Sequence, residues 1–166
     1  MKRSIVLLLV LTVALTLVAV PVSADPPTTA SGTWDYELVG PPEVKVAGPN
    51  VFIYGQDRGE WGGSFDGYTE EEFVVVCHPN AGFSFYRGEM TFYGTAVDES
   101  GVRHEGTMIL KTNGKQHSDT CDPSPAEWEG HWVVVGGTEG LGNLHGQGTF
   151  HGPSFHLIYE GQIHFD

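Results

Sequence analysis

The chain has few basic residues and little that could hold nucleic acid. Lys and Arg together number 8 of 166 residues, against 21 Asp and Glu, and the formal net charge at pH 7 is −13. A chain this acidic is repelled by nucleic acid phosphates and by anionic lipid headgroups. We therefore expect neither nucleic acid nor a membrane surface among the partners of the mature protein.

Long hydrophobic runs are absent except at the amino terminus. Lys2 and Arg3 precede an apolar run over residues 5–20, and a Val-Ser-Ala sequence ends at Ala24. This order predicts a secretory signal peptide over residues 1–24 and a secreted protein, extracellular or periplasmic. An uncleaved anchor is the alternative, although the run is shorter than the roughly 20 residues that span a bilayer.

Cysteine is scarce, with only Cys77 and Cys121 in the whole sequence. An even number of cysteines in an exported protein indicates a disulfide. The alternative is a reactive Cys77 thiol activated by His78. Adjacent residues of a strand point to opposite faces, so that dyad has poor geometry. We therefore predict a Cys77–Cys121 disulfide.

Helical periodicity is also missing. After the signal segment, short stretches alternate apolar and polar residues with a period of two, separated by Gly, Pro, Asn and Asp. We predict a flexible leader over residues 25–31 and one all-β domain over residues 32–166, with a strand break at Asn113-Gly114. The predicted strands cover residues 33–38, 43–47, 51–55, 60–67, 72–77, 83–95, 103–112, 127–137, 146–152 and 154–165.

The two faces of the predicted strands differ in composition. One face alternates large apolar side chains with Gly, and the other is charged. A strongly curved sheet crowds its concave face, where Gly gives room and an aromatic neighbour fills it. This predicts a single, mostly antiparallel, closed β-barrel of about eight principal strands. The inward face would either fill the interior or bind a small apolar ligand, through Trp61, Phe65, Tyr86, Met90, Phe92, Met108, Trp128, Trp132 and Tyr159.

The segment over residues 128–148 carries a resemblance to known families. Its strand ends in Gly136-Gly137-Thr138, followed by a short Leu-containing turn and a Gly-rich strand. This arrangement resembles the barrel proteins around allene oxide cyclase and the plant dirigent proteins, whose turn has Gly where this chain has Glu139. It is closer to a bacterial and archaeal family of unknown function with the same barrel. The resemblance implies a fold and no catalytic residue.

Histidines and carboxylates are the other candidates for chemistry. A metal site needs at least three converging donors, and the five carboxy-terminal histidines lack tight spacing, so we predict solvated histidines, no metal and no cofactor. The acidic run over residues 70–72 predicts a solvated turn. The histidines in question are His131, His145, His151, His156 and His164.

The charged face also contains an apolar streak, which predicts an association surface. If its residues are contiguous, the protein would form a homo-oligomer through Ile109, Val133, Val135 and Ile158.

Three functions are compatible with these patterns. The leading hypothesis is a secreted, non-enzymatic barrel that binds a small apolar ligand in its interior. The second is a cyclase- or isomerase-like enzyme, suggested by the fold resemblance alone. It requires a Glu, Tyr or similar group of perturbed acidity buried in an open cavity. The third is a structural, self-associating extracellular protein.

Overall fold

The computed structural model describes residues 27–79, 81–117, 121 and 126–166. The predicted signal peptide lies outside these residues, as do the first two residues of the predicted leader. Among the described residues, no helix is long and apolar enough to cross a membrane.

The described chain is built from antiparallel strands with short connections. This confirms the all-β prediction. The strands are β1 (Thr28–Leu38), β2 (Glu43–Ala47), β3 (Asn50–Gly63), β4 (Phe65–His78), β5 (Phe83–Val97), β6 (Arg103–His117), β7 (Glu127–Glu139), β8 (Leu144–Pro153) and β9 (His156–Phe165).

Strand pairing forms a closed ring. Consecutive strands from β3 to β9 pair in order, and β1 pairs with both β9 and β3. The long strand β3 makes this possible, because its first residues pair with β2 and its last with β1. Eight strands therefore make the ring, as the sequence predicted, and β2 lies outside it.

Most predicted strands are extended in the structure, and three features of the prediction are corrected. The predicted strand over residues 60–67 spans the turn between β3 and β4, and residues 28–31 are part of β1, paired with β9, instead of a leader. The predicted break at Asn113-Gly114 is wrong, because both residues pair with β7 inside β6. Gly114 serves packing there, since a Cβ on it would lie 3.1 Å from the Phe150 ring.

The predicted sidedness agrees with the burial of the side chains. All nine residues of the predicted inward face are buried. The glycines give space to rings on neighbouring strands: a Cβ on Gly148 would lie 2.6 Å from the Trp132 ring, and one on Gly130 would collide with the Phe150 ring. The Gly–aromatic alternation is therefore a packing requirement of the interior.

A disulfide links the strands at one end of the ring. Cys77, near the end of β4, is bonded to Cys121, which follows β6, with 5.7 Å between their Cα atoms. The structure thus confirms the predicted pairing, and no free cysteine is present among the described residues.

Candidate functional site

The interior of the ring has two unlike ends. The filled end, built from the last residues of β3 and β5 and the first of β4 and β6, is packed with rings. Phe65 stacks on Tyr159 with centroids 5.5 Å apart, and Trp61 lies 4.7 Å from Tyr159. The open end, near the disulfide, contains a cavity of about 300 Å³.

The cavity has a mostly apolar wall, as small-molecule sites usually have, and its volume is at the lower limit of typical ligand pockets. Few polar side chains interrupt this wall. The lining residues are Trp34, Tyr36, Leu38, Pro42, Val44, Ile53, Asp57, Phe73, Val75, Tyr86, Gln116, Cys121, Trp128, Phe150, Phe155 and Leu157.

The nine ligand-binding residues predicted from sequence divide between the two ends. Tyr86 and Trp128 line the cavity. The other seven do not line it and belong to the buried core: Trp61, Phe65, Met90, Phe92, Met108, Trp132 and Tyr159. The alternatives of a filled interior and an open one therefore apply to different ends of the same ring.

Two carboxyl groups face each other inside the ring. Asp57 of β3 is directly opposite Glu71 of β4, and both are buried, with 4% and 2% of their surface exposed. Like charges directly opposite across strands are destabilising. Two ionised carboxylates would repel each other at these buried, directly opposed positions, so the arrangement favours a protonated carboxyl in the pair. We call Asp57 and Glu71 the acid pair.

Hydroxyl groups hold the inner member of the acid pair. The Tyr86 and Thr112 hydroxyls both donate hydrogen bonds to Glu71 Oε1, the latter over 2.8 Å. Gly88 on β5 gives the carboxylate its space, because a Cβ there would collide with Glu71 Oε1. Asp57 lines the cavity whereas Glu71 does not, so a ligand would contact the acid pair through Asp57.

Burial favours the protonated form of the acid pair. Burial, together with the negative charge of Glu71, raises the pKa of Asp57 to about 9. Burial also raises the pKa of Glu71, against the lowering effect of its hydrogen bonds from Tyr86 and Thr112. The pair therefore retains protons to higher pH than two exposed carboxyl groups would.

The acid pair has no cationic partner among the described residues of the interior. Asp57 and Glu71 are the only buried ionisable acids, and no Lys, Arg or His is buried in the part of the chain that the structure describes. Asp57 Oδ1 and Glu71 Oε2 lack a hydrogen-bond donor among these residues. Buried charges in proteins are normally paired, so this arrangement is unusual for a purely structural feature.

The acid pair is the part of the site that the sequence analysis missed. The prediction of a solvated turn over residues 70–72 is wrong: Glu71 lies inside β4, with Glu70 and Glu72 exposed on either side. The period of two, extended back from Val75 through Phe73, places Glu71 on the inward face. The same parity, extended back from Trp61, places Asp57 inward.

Aromatic side chains surround the outer part of the cavity. Phe155, in the turn between β8 and β9, has a φ of 73°, which is strained for a residue other than Gly. Its ring packs 5.4 Å from Tyr36, whose pKa burial raises to about 12. Pro42 and Val44 complete this side and are exposed, so the cavity reaches solvent here. Strained residues concentrate at functional sites.

The predicted histidines lie outside the ring. His156 contacts Asp35 at 2.5 Å and His145 contacts Asp166 at 3.0 Å, both at exposed positions. His164 stacks on His145, and His131 and His151 are exposed. No group of three His, Cys, Asp or Glu side chains able to hold a metal occurs among the residues described.

The predicted association surface divides into two parts. Ile109, Val133 and Val135 are exposed on the neighbouring strands β6 and β7. Ile158 is exposed too, but it lies in a cross-strand row with His151 and Glu129. The outer patch (Ile109, Val133 and Val135) is thus the contiguous part, and oligomerisation through it stays a prediction.

Comparison with solved structures finds the same fold in a protein of unknown function. It comes from the DUF3224 family, from Shewanella oneidensis MR-1, with a TM-score of 0.64 and 18% identity. The match covers 85% of this chain and 98% of that one. This agrees with the resemblance to an uncharacterised bacterial family. No protein-family model matches the sequence, and no curated protein matches it.

Proposed function

We propose that this protein binds a small, largely apolar molecule in the open end of its ring, with one polar group of the ligand against Asp57. The observation that carries the proposal is an apolar cavity of about 300 Å³ with a buried carboxyl group in its wall. Ligand sites typically combine an apolar wall with a few placed polar groups. The strained Phe155 in the cavity wall and the buried Asp57 oxygen without a hydrogen-bond donor support this proposal.

Binding can be tested with 2-naphthylmethanol, a neutral apolar molecule with one hydroxyl group. Isothermal titration should show saturable binding to the wild type. Val75→Phe should abolish it, because Val75 lines the cavity and the larger ring would occupy the space. Val74→Phe is the matched control, since Val74 is the preceding residue of β4 and does not line the cavity. Binding that survives Val75→Phe unchanged would contradict the proposal.

A second candidate function is acid–base catalysis of an isomerisation or cyclisation. One observation favours it: a titratable group of raised pKa lies in the wall of an open cavity, as such an enzyme requires. The ionised carboxylate of Asp57, the member of the acid pair that lines the cavity, would take a proton from the carbon next to a carbonyl group. The resulting enolate would receive a proton from solvent, and the Asp57 carboxyl would release the abstracted proton to solvent, so no further reactant is consumed.

This activity can be tested by deuterium exchange. Incubated in D₂O with 2-acetonaphthone, the wild type should exchange the methyl protons faster than Asp57→Asn, as followed by mass spectrometry. Equal rates in the two proteins would leave ligand binding as the function of the cavity and exclude this reaction for the probe.

Three further properties are proposals that accompany the ligand site. The ring of eight strands supports a closed barrel of the allene-oxide-cyclase and dirigent type. The disulfide supports export to an oxidising compartment, where mass spectrometry should find the chain cut after Ala24. The outer patch supports a homo-oligomer, which Val133→Lys should dissociate in gel filtration.

A further inference from the structure

The acid pair has no cation beside it among the described residues. The hydroxyls of Tyr86 and Thr112 are its only hydrogen-bond donors among the described side chains. Asp57, which lines the cavity, has a buried oxygen without a donor. An isolated charge in an apolar interior is costly. A cation arriving with the ligand would supply the missing partner.

We propose that the ligand is a protonated amine with an apolar body, whose ammonium group hydrogen-bonds to the ionised carboxylate of Asp57. This inference rests on the proposed ligand site and specifies its chemistry. A neutral alcohol could donate one hydrogen bond to Asp57 but would leave the charge uncompensated. A carboxylate would add a second negative charge beside the first and is disfavoured.

The rest of the molecule favours the same class of ligand. Trp34, Tyr36 and Trp128 line the cavity, and aromatic faces attract ammonium groups once water is excluded. The net charge of −13 produces a negative potential that draws cations toward the surface. The cavity wall is otherwise apolar, so the body of the amine should be hydrocarbon.

Proton release distinguishes an amine from a neutral ligand. An ammonium group beside Asp57 favours the ionised carboxyl, so binding should expel up to about one proton from the acid pair into solvent. The other ionisable groups that face Asp57 are Glu71, Tyr36 and Tyr86, and burial raises the pKa of both tyrosines. The tyrosines therefore stay protonated, and the affinity for an amine should increase from about pH 6 to pH 8.

The experiment compares probes of matched shape: 2-naphthylmethylamine, 2-naphthylmethanol and 2-naphthoate. Calorimetry at pH 7 should show the amine binding about ten- to a hundredfold more tightly than the alcohol, as a charged hydrogen bond in place of a neutral one would give. Titration in two buffers of different ionisation enthalpy should show proton release for the amine and none for the alcohol. Asp57→Asn should remove the preference for the amine, while Val74→Phe should keep it.

Each outcome decides the inference. Tighter binding of the alcohol or naphthoate would overturn it and leave the ligand site standing, whereas failure of all three probes would overturn both. Amine binding without proton release, or an unchanged preference for the amine in Asp57→Asn, would also overturn it. The proton measurement uses the wild-type chain, so it remains decisive even if Asp57→Asn fails to fold.

Discussion

The two ends of the ring use the same alternating pattern for different purposes. At the filled end, large rings meet from different strands, such as Phe65 of β4 and Trp132 of β7 at 5.8 Å. At the open end, aromatic and aliphatic side chains, among them Trp128 and Val75, surround a cavity of about 300 Å³ whose wall includes the carboxyl of Asp57. We infer that the filled end contributes most of the stability and that the open end binds the ligand.

The largest effect expected from this difference concerns two tryptophans of β7. Trp132→Ala at the filled end should lower the free energy of unfolding by about 3–5 kcal/mol, because it leaves a large cavity in a close-packed region. Trp128→Ala, beside the existing cavity, should cost roughly half as much. Each indole Nε1 donates one hydrogen bond, to Thr149 O and Ser154 Oγ respectively, so the pair is well matched. Chemical denaturation with the disulfide intact measures both losses of stability. Equal losses would contradict the proposed difference between the filled and the open end.

Gly88→Ala tests the space that the acid pair needs. The new Cβ would displace the Glu71 carboxylate from the Tyr86 and Thr112 hydroxyls, so we expect a loss of about 1–3 kcal/mol. Gly136→Ala is the control, because no atom lies within 4 Å of its Cβ position, and its effect should stay within about 0.5 kcal/mol. A Gly88→Ala protein as stable as the wild type would contradict the described position of Glu71.

The acid pair should make stability depend on pH. The pKa of Asp57 is higher in the folded state than in the unfolded chain, so the folded state holds more protons and loses stability as pH rises from about 5 to 9. Relative to Asp57→Asn, the wild type should show an extra slope of at most about 1.4 kcal/mol per pH unit. Chemical denaturation of both proteins between about pH 5 and pH 9 measures this difference in slope. Asp98 does not contribute to this slope. Hydrogen bonds from His104 and Ser100 hold its pKa low, so it stays ionised throughout this pH range. If the free energies of unfolding of the two proteins changed with pH in parallel, a proton held by the acid pair in the folded state would be excluded.

The smallest expected effect concerns two strained turn residues. Glu139 between β7 and β8 has a φ of 55°, and Glu139→Gly should stabilise the protein by about 1 kcal/mol without changing ligand affinity. Phe155→Gly relieves similar strain at the open end but removes part of the cavity wall, so it should weaken binding of 2-naphthylmethanol. Thermal denaturation and calorimetry of the two variants separate these effects. Reduced binding in Glu139→Gly would show that the two ends are coupled.

Much of the architecture could be predicted because a period of two is local information. The alternation predicted an antiparallel sheet with an aromatic inward face. The even number of cysteines predicted the disulfide. The acid pair was not predicted, since it depends on the register that sets Asp57 opposite Glu71, and register is a property of two strands. The acidic run over residues 70–72 also suggests a solvated turn. Only strand parity shows that its middle residue, Glu71, points inward while its two neighbours point outward. Asn113-Gly114 misled for a related reason: the Gly of this turn-favouring dipeptide lies inside a strand, where the Glu129 carbonyl oxygen and the Phe150 ring approach too closely for a Cβ.

The most direct test of the ligand site is a crystal structure of the wild-type protein soaked with 2-naphthylmethanol. The account predicts the naphthalene ring in the cavity among Trp34, Trp128 and Leu157, with the hydroxyl within hydrogen-bond distance of Asp57 and the filled end unchanged. A probe bound only on the outer face, or a cavity closed by inward movement of the surrounding side chains, would contradict it.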